Sequence, residues 1–225
     1  MEKYKYYKEL RIILFLLTIF LVIIFLTPFV FSLFLKRIPY QFQPPFLGSE
    51  KLYSNVVFSQ HFVSPKENLS AIGLSIRNFN LQSKGDIFLE VFLDGRKIRE
   101  SVVKSGSIKD GDLVIFTFEK IPDSFGKNFV FKLRAPDTDK AKAYEVYTTN
   151  MPQSFVSDFY INDSLMDKTI SFMIYTAPQN RLVLAIEIYK YWFSRLYKDT
   201  VFFYFYSSLI LVLIGLAAYF YKKEK

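Results

Sequence analysis

The distribution of charge constrains this chain more than any other feature. From Ile12 to Leu35, and again from Val201 to Tyr221, no charged residue occurs. At 1.5 Å per residue the first run makes roughly 36 Å of helix, against a hydrocarbon core of about 30 Å. Two such runs are hard to bury in a soluble chain of 225 residues. The sequence therefore predicts one transmembrane helix over 12–35 and a second over 200–221. Thr18, Thr27 and Ser32 can bond back to helix carbonyls, and Pro28 predicts a kink that a membrane helix tolerates. Lys36-Arg37-Ile38-Pro39 holds no small-x-small cleavage signal, so the first run reads as a retained anchor rather than a signal peptide.

Flanking charge sets the predicted orientation. Residues 1–11 carry Lys3, Lys5, Lys8 and Arg11 against Glu2 and Glu9; residues 222–225 carry Lys222, Lys223 and Lys225 against Glu224. The positive-inside rule puts both tails in the cytoplasm and everything between the spans outside the cell. The lipid bilayer is thus the first expected partner and the cell membrane the expected location. Tyr4, Tyr6 and Tyr7, then Tyr189, Tyr191, Trp192, Tyr197, Tyr219 and Tyr221, stand where amphipathic rings would form interfacial belts.

Of the net charge of +8, the two tails supply +4. Lys36, Arg37, Lys190, Arg195 and Lys198, set against Glu187 and Asp199, supply +3. The body between is close to neutral, so nucleic acid is excluded as a partner. The absence of cysteine excludes disulfides, thiolate metal sites and cysteine nucleophiles. A single histidine, His61, excludes any two-histidine metal motif.

The segment 49–178 alternates apolar and polar residues at period two. Ile72, Leu74 and Ile76 do so, as do Ile87, Leu89, Val91 and Leu93; Val114, Phe116 and Phe118; and Phe129, Phe131 and Leu133. That period marks strands with one buried face. Further strands are predicted over 55–63, 96–104, 144–149 and 169–175. Asp94-Gly95 is the strongest hairpin signal, because both residues accept positive φ. Lys109-Asp110-Gly111-Asp112, Pro122-Asp123-Ser124 and Gly126-Lys127 mark other turns. About eight strands at this spacing predict a jelly-roll-like β-sandwich. The fold class expected is mainly β, with the sandwich flanked by N- and C-terminal transmembrane helices. Residues 36–48, rich in proline, read as a linker. Over 179–199 the period changes to three or four, through Leu182, Ala185, Ile186, Tyr189, Trp192 and Phe193. This predicts an amphipathic juxtamembrane helix, a final strand plus connector being the alternative.

Three stretches together resemble a known module: Ser59-Gln60-His61-Phe62; Asn68-Leu69-Ser70-Ala71-Ile72; and Phe116-Thr117-Phe118 with Ile121-Pro122-Asp123-Ser124-Phe125-Gly126-Lys127-Asn128-Phe129. The resemblance is to a bacterial extracytoplasmic β-sandwich, membrane-tethered or appended to polytopic membrane glycosyltransferases, over roughly residues 55–150. It implies a jelly-roll-like fold, a cell-envelope setting and no catalytic residues. Any link to sugar transfer would run through a partner glycosyltransferase.

His61 sits in a strand without a second histidine, so a surface or packing role is expected. Asp110 with Asp112, or Asp137 with Asp139, could face calcium, but Asp-Gly-Asp is ordinary turn chemistry. Glu90 and Glu100 can be imagined as a carboxylate pair across a hairpin, yet nothing selects them for glycoside cleavage. Ser124 lies in no nucleophile elbow. Asn68-Leu69-Ser70 and Asn162-Asp163-Ser164 match the N-glycosylation pattern only weakly. Phe88 and Phe92 point away from the face of Ile87, Leu89, Val91 and Leu93. They are the candidate ligand or partner surface, unless the strand is buried on both faces. No catalytic, cofactor or metal residue is predicted. The function expected is a non-enzymatic membrane-anchored module binding glycan or a partner envelope protein, such as a membrane glycosyltransferase. The alternative is an assembly subunit acting through its spans, where Ser207, Ser208 and Gly215 permit close helix approach.

Overall fold

The computed structural model describes Phe15, Thr18, Leu26 and residues 29–30, 32–40, 45–151 and 155–222; twelve helical positions after 195 are described by backbone alone. The predicted tail 1–11, most of 12–35 with Thr27 and Pro28, linker positions 41–44 and residues 223–225 lie outside them. The chain divides into two compact units, Lys36–Pro178 and Met1–Leu35 with Gln179–Lys225.

The larger unit is built from two antiparallel sheets. In chain order its strands are β1 (Ile38–Pro39), β2 (Gly48–Leu52), β3 (Val57–Val63), β4 (Leu69–Arg77), β5 (Ile87–Leu93), β6 (Arg96–Val103), β7 (Asp112–Ile121), β8 (Asn128–Arg134), β9 (Tyr144–Thr149), β10 (Val156–Ile161), β11 (Ser164–Met166), β12 (Thr169–Ile170) and β13 (Phe172–Thr176). Eight of them interleave. β2 pairs with β9, β9 with β4 and β4 with β7; in the other sheet β3 pairs with β8, β8 with β5 and β5 with β6. This is the strand order of a jelly roll, two Greek keys folded over each other. β10 and β11 extend the second sheet beyond β3, and the interrupted strand β12–β13 runs from β9 to β4 in the first.

The core follows from the period-two pattern. Phe58 and Phe62, Ile72, Leu74 and Ile76, Ile87, Leu89 and Val91, Phe116, and Phe129, Phe131 and Leu133 all project between the sheets and are buried. Phe172 of one sheet stands edge-on to Phe131 at 5.2 Å and to Phe62 at 5.7 Å from the other. Such edge-to-face pairs add to what area burial alone supplies. One polar side chain is sealed among them. Gln60 Nε2 donates to the carbonyls of Ser157 and Asp158, and its Oε1 accepts from the amide of Ile170. A single amide thereby ties β3 to the irregular start of β10 and, across the sandwich, to β12.

The resembling Pro122–Lys127 loop also acts structurally. Ser124 is buried; its Oγ accepts from the Leu69 amide at 3.1 Å and donates to the Lys66 carbonyl at 2.9 Å. The loop thus fastens the β7–β8 connection to the β3–β4 connection.

The smaller unit contains α1 (Arg181–Lys198) and α2 (Thr200–Lys222). Asn180 caps α1, its Oδ1 accepting from the Leu182 amide at 2.9 Å. Arg181 Nη1 donates to the carbonyls of Ser32 and Leu35, at the end of the helical residues 32–34. Asp199 separates the helices, accepting from Arg195 at 2.6 Å and from the Phe202 amide at 3.1 Å.

The predicted membrane architecture is corrected here. Among the described residues no helix is long and apolar enough to cross a membrane. The expected flanking spans over 12–35 and 200–221, the two-span location and the orientation derived from it are therefore withdrawn.

Candidate functional site

The inward face of the six-stranded sheet is apolar, so its outward face carries whatever that sheet can offer to solvent. Register places the outward residues in rows. Tyr160 of β10 lies opposite Ser59 of β3, Ser59 opposite Lys132 of β8, and Lys132 opposite Glu90 of β5. In the next row His61 faces Val130, and Val130 faces Phe92. Ser59, His61, Phe92, Val130, Lys132 and Tyr160, with Gly95 and Asp163 from two hairpin turns, line an open groove of about 310 Å³. That size is at the lower end for a small-molecule site.

Both turns are formed by residues that accept positive φ. Asp94 and Gly95 connect β5 to β6 at φ 51° and 75°; Asn162 and Asp163 connect β10 to β11 at φ 48° and 66°. Asn162 is further held by its own side chain, which accepts from the Val57 amide at 2.7 Å and donates to the Asn55 carbonyl at 3.0 Å. The groove is therefore carried on strands and tight hairpins rather than on long loops.

Its surface alternates rings with polar atoms. The His61 and Tyr160 rings lie 5.5 Å apart, tilted by 55°. Lys132 Nζ stands 5.2 Å from the centre of the Phe92 ring, within cation–π range. Beside the groove lies an ion cluster. Glu90, only 8% exposed, receives Arg134 Nη2 at 2.8 Å and Lys97 Nζ at 3.0 Å on the same oxygen; Lys97 also donates to Glu100 at 3.0 Å. These contacts, to Glu100 first and then Glu90, hold the Lys97 ammonium above its ordinary pKa. A carboxylate buried this far stays charged only when so compensated.

The residues singled out from the sequence separate. Phe92 lines the groove. Phe88 shares its outward face but lies between Arg134 and Val102, outside the lining. Both are half-buried, and the strand is not sealed on both faces. His61 is in the groove wall. Glu90 and Glu100 are opposite each other in register, both engaged by Lys97. Asp110 pairs with Arg77 at 3.3 Å, Asp112 accepts from the Leu113 amide, and Asp139 caps a short 3₁₀ turn through the Ala141 amide. Among the described residues no three acidic or histidine side chains converge on one point. Asn68 is buried and the Asn162 side chain is committed to its turn.

Ser59, Val130, Lys132, Tyr160 and Asp163 were not foreseen. Asn162-Asp163 was read as part of a glycosylation pattern, although the same pair is a hairpin signal flanked by Phe159–Ile161 and Leu165. Reading it so would have supplied β10 and β11, and with them one wall of the groove.

No family model matches this chain, and no curated protein does. Among solved structures, part of it is similar to a cycloisomaltooligosaccharide glucanotransferase of a Paenibacillus species, in complex with cycloisomaltoheptaose. The identity is 10% over 50% of this chain, with a TM-score of 0.30. This chain spans 16% of that carbohydrate-related enzyme's length, and at that score the likeness carries no argument about fold or ligand here.

Proposed function

We propose that this protein is a non-enzymatic glycan-binding module whose site is the outward groove of the six-stranded sheet. One observation carries the reading: rings and hydrogen-bonding groups alternate along a rigid open groove. A pyranose presents positively polarised C–H groups on its ring faces and hydroxyls around its rim. The faces suit the negative face of an aromatic quadrupole, here Phe92 and Tyr160. The rim suits Ser59, His61, Lys132 and Asp163, which between them donate and accept. An open groove also suits a chain that enters and leaves at both ends, as a polysaccharide segment does.

The neighbouring carboxylates support binding over cleavage. Glycoside hydrolysis needs one carboxyl group able to give a proton and another free to act as base or nucleophile. Glu90 has its oxygen doubly occupied by cations, and Glu100 shares Lys97 with it.

The test is a panel of oligosaccharides titrated calorimetrically into the intact chain and into a Phe92→Ser, Tyr160→Ser double variant. Saturable binding by the parent, weakened at least tenfold in the variant with its melting transition retained, is expected. Absence of binding across the panel, or binding indifferent to both substitutions, contradicts the proposal.

A further inference from the structure

We infer that the groove is built for a sugar bearing an anionic group, with Lys132 as the residue that reads the anion; this deepens the glycan-binding reading and rests on it. The register partner of Glu90 across β5 and β8 is Lys132, so a Lys132–Glu90 pair would be the ordinary outcome of the fold. Instead Glu90 takes Lys97 and Arg134 on one oxygen. Lys132 forms no ion pair among the described residues, and its ammonium stands over the Phe92 ring. Lys97 and Arg134 thus occupy Glu90 and Glu100. Lys132, on the aromatic platform, is the cation of the groove lining, and Asp163 is its anion.

A sugar that stacks on Phe92 must share that ring with the ammonium or displace it. A neutral sugar offers the displaced ammonium only hydroxyl oxygens. A sugar carrying a carboxylate or phosphate offers a charge-assisted hydrogen bond, shorter and stronger than a neutral one, beside an apolar surface that reduces screening. Asp163, the other charged group in the lining, belongs to the β10–β11 turn rather than to the strands that hold Phe92 and Lys132. It suits hydroxyls, which donate to a carboxylate, and it disfavours a ligand charged along its whole length. The chemistry shared by the candidate ligands is one anionic substituent on a pyranose, whether carboxylate or phosphate.

The intact chain and its Lys132→Gln and Phe92→Ser variants are titrated with three oligosaccharides of equal length: neutral hexose, hexuronate-containing and phosphohexose-containing. The parent is expected to bind at least one anionic arm tenfold or more above the neutral one, and the tighter arm identifies the anion. Lys132→Gln should erase that difference, lower anionic binding far more than neutral binding, and leave the melting transition intact. Phe92→Ser should weaken every arm. Equal affinity for neutral and anionic arms, or a preference that survives Lys132→Gln, overturns the Lys132 assignment while the glycan reading stands. Anionic binding that survives Phe92→Ser marks charge adsorption alone and also overturns it. No binding of any arm removes both readings.

Discussion

The outward faces of the two sheets differ although both arise from the same alternation. On β4, central in one sheet, the outward residues are Ala71, Gly73 and Ser75. They are small, and the face is closed by neighbours: Tyr175 and Met173 of β13 are at most 9% exposed and pack with Ala71 and Leu113. A Cβ on Gly73 would lie 2.9 Å from the Tyr175 ring. On β3, β8 and β5 of the other sheet the outward residues include His61, Val130, Lys132 and Phe92, large and half-buried, beside the smaller Ser59. Small residues beneath a tyrosine make a second packed layer. Large amphipathic residues with no layer above them make a groove. The difference between the faces lies in the side chains rather than in the backbone.

Four substitutions sharpen or break that comparison, in decreasing order of their expected effect on stability. Gln60→Leu is expected to be the most costly. It leaves the buried Ile170 amide without its partner and frees the Ser157 and Asp158 carbonyls, a loss of about 3 kcal/mol read from the urea unfolding midpoint. Gly73→Ala follows. If the outward face of β4 is packed as described, pushing Tyr175 aside costs about 2 kcal/mol; a neutral result would mean that face is open.

Tyr144→Phe removes the hydroxyl bond to the Gly85 carbonyl at 2.7 Å, a loss of about 1 kcal/mol at neutral pH. Burial, with a smaller contribution from Asp86, pushes the Tyr144 hydroxyl from 10.0 up to about 12. The protonated form is therefore favoured in the folded state. Its contribution is whole below pH 10.0 and declines as pH rises towards about 12. Unfolding midpoints measured below and above that window should show a smaller alkaline loss in the phenylalanine variant than in the parent. Phe92→Ser closes the series, with a change in stability of about 0.5 kcal/mol and a large loss of oligosaccharide affinity in the same sample. A collapse of the fold on this substitution would place Phe92 with the core residues and erase the contrast between the faces.

The sequence revealed this contrast only in part. Strands whose inward residues are large and apolar were legible, because Ile72, Leu74 and Ile76, or Phe129, Phe131 and Leu133, leave one period possible. The outward direction of Phe92 followed from the same arithmetic. β10 and β11 were not legible, since Val156–Ile161 mixes Ser157, Asp158 and Tyr160 with its apolar residues and its turn was taken for a modification signal. β2 lay at the edge of what read as a proline-rich linker, and only pairing with β9 orders it as a strand. The groove itself joins Tyr160 to Phe92 across β3 and β8, a contact between distant parts of the chain that no local pattern encodes.

The account rests on the groove of the six-stranded sheet being where a sugar binds. Amide chemical shifts of the intact chain, followed while the tightest oligosaccharide of the panel is added, test this directly. The account predicts shifts that cluster at Ser59, His61, Phe92, Val130, Lys132 and Tyr160 and leave the outward residues of β4 unmoved. Saturable shifts centred anywhere else, or none at concentrations where calorimetry reports binding, would contradict it.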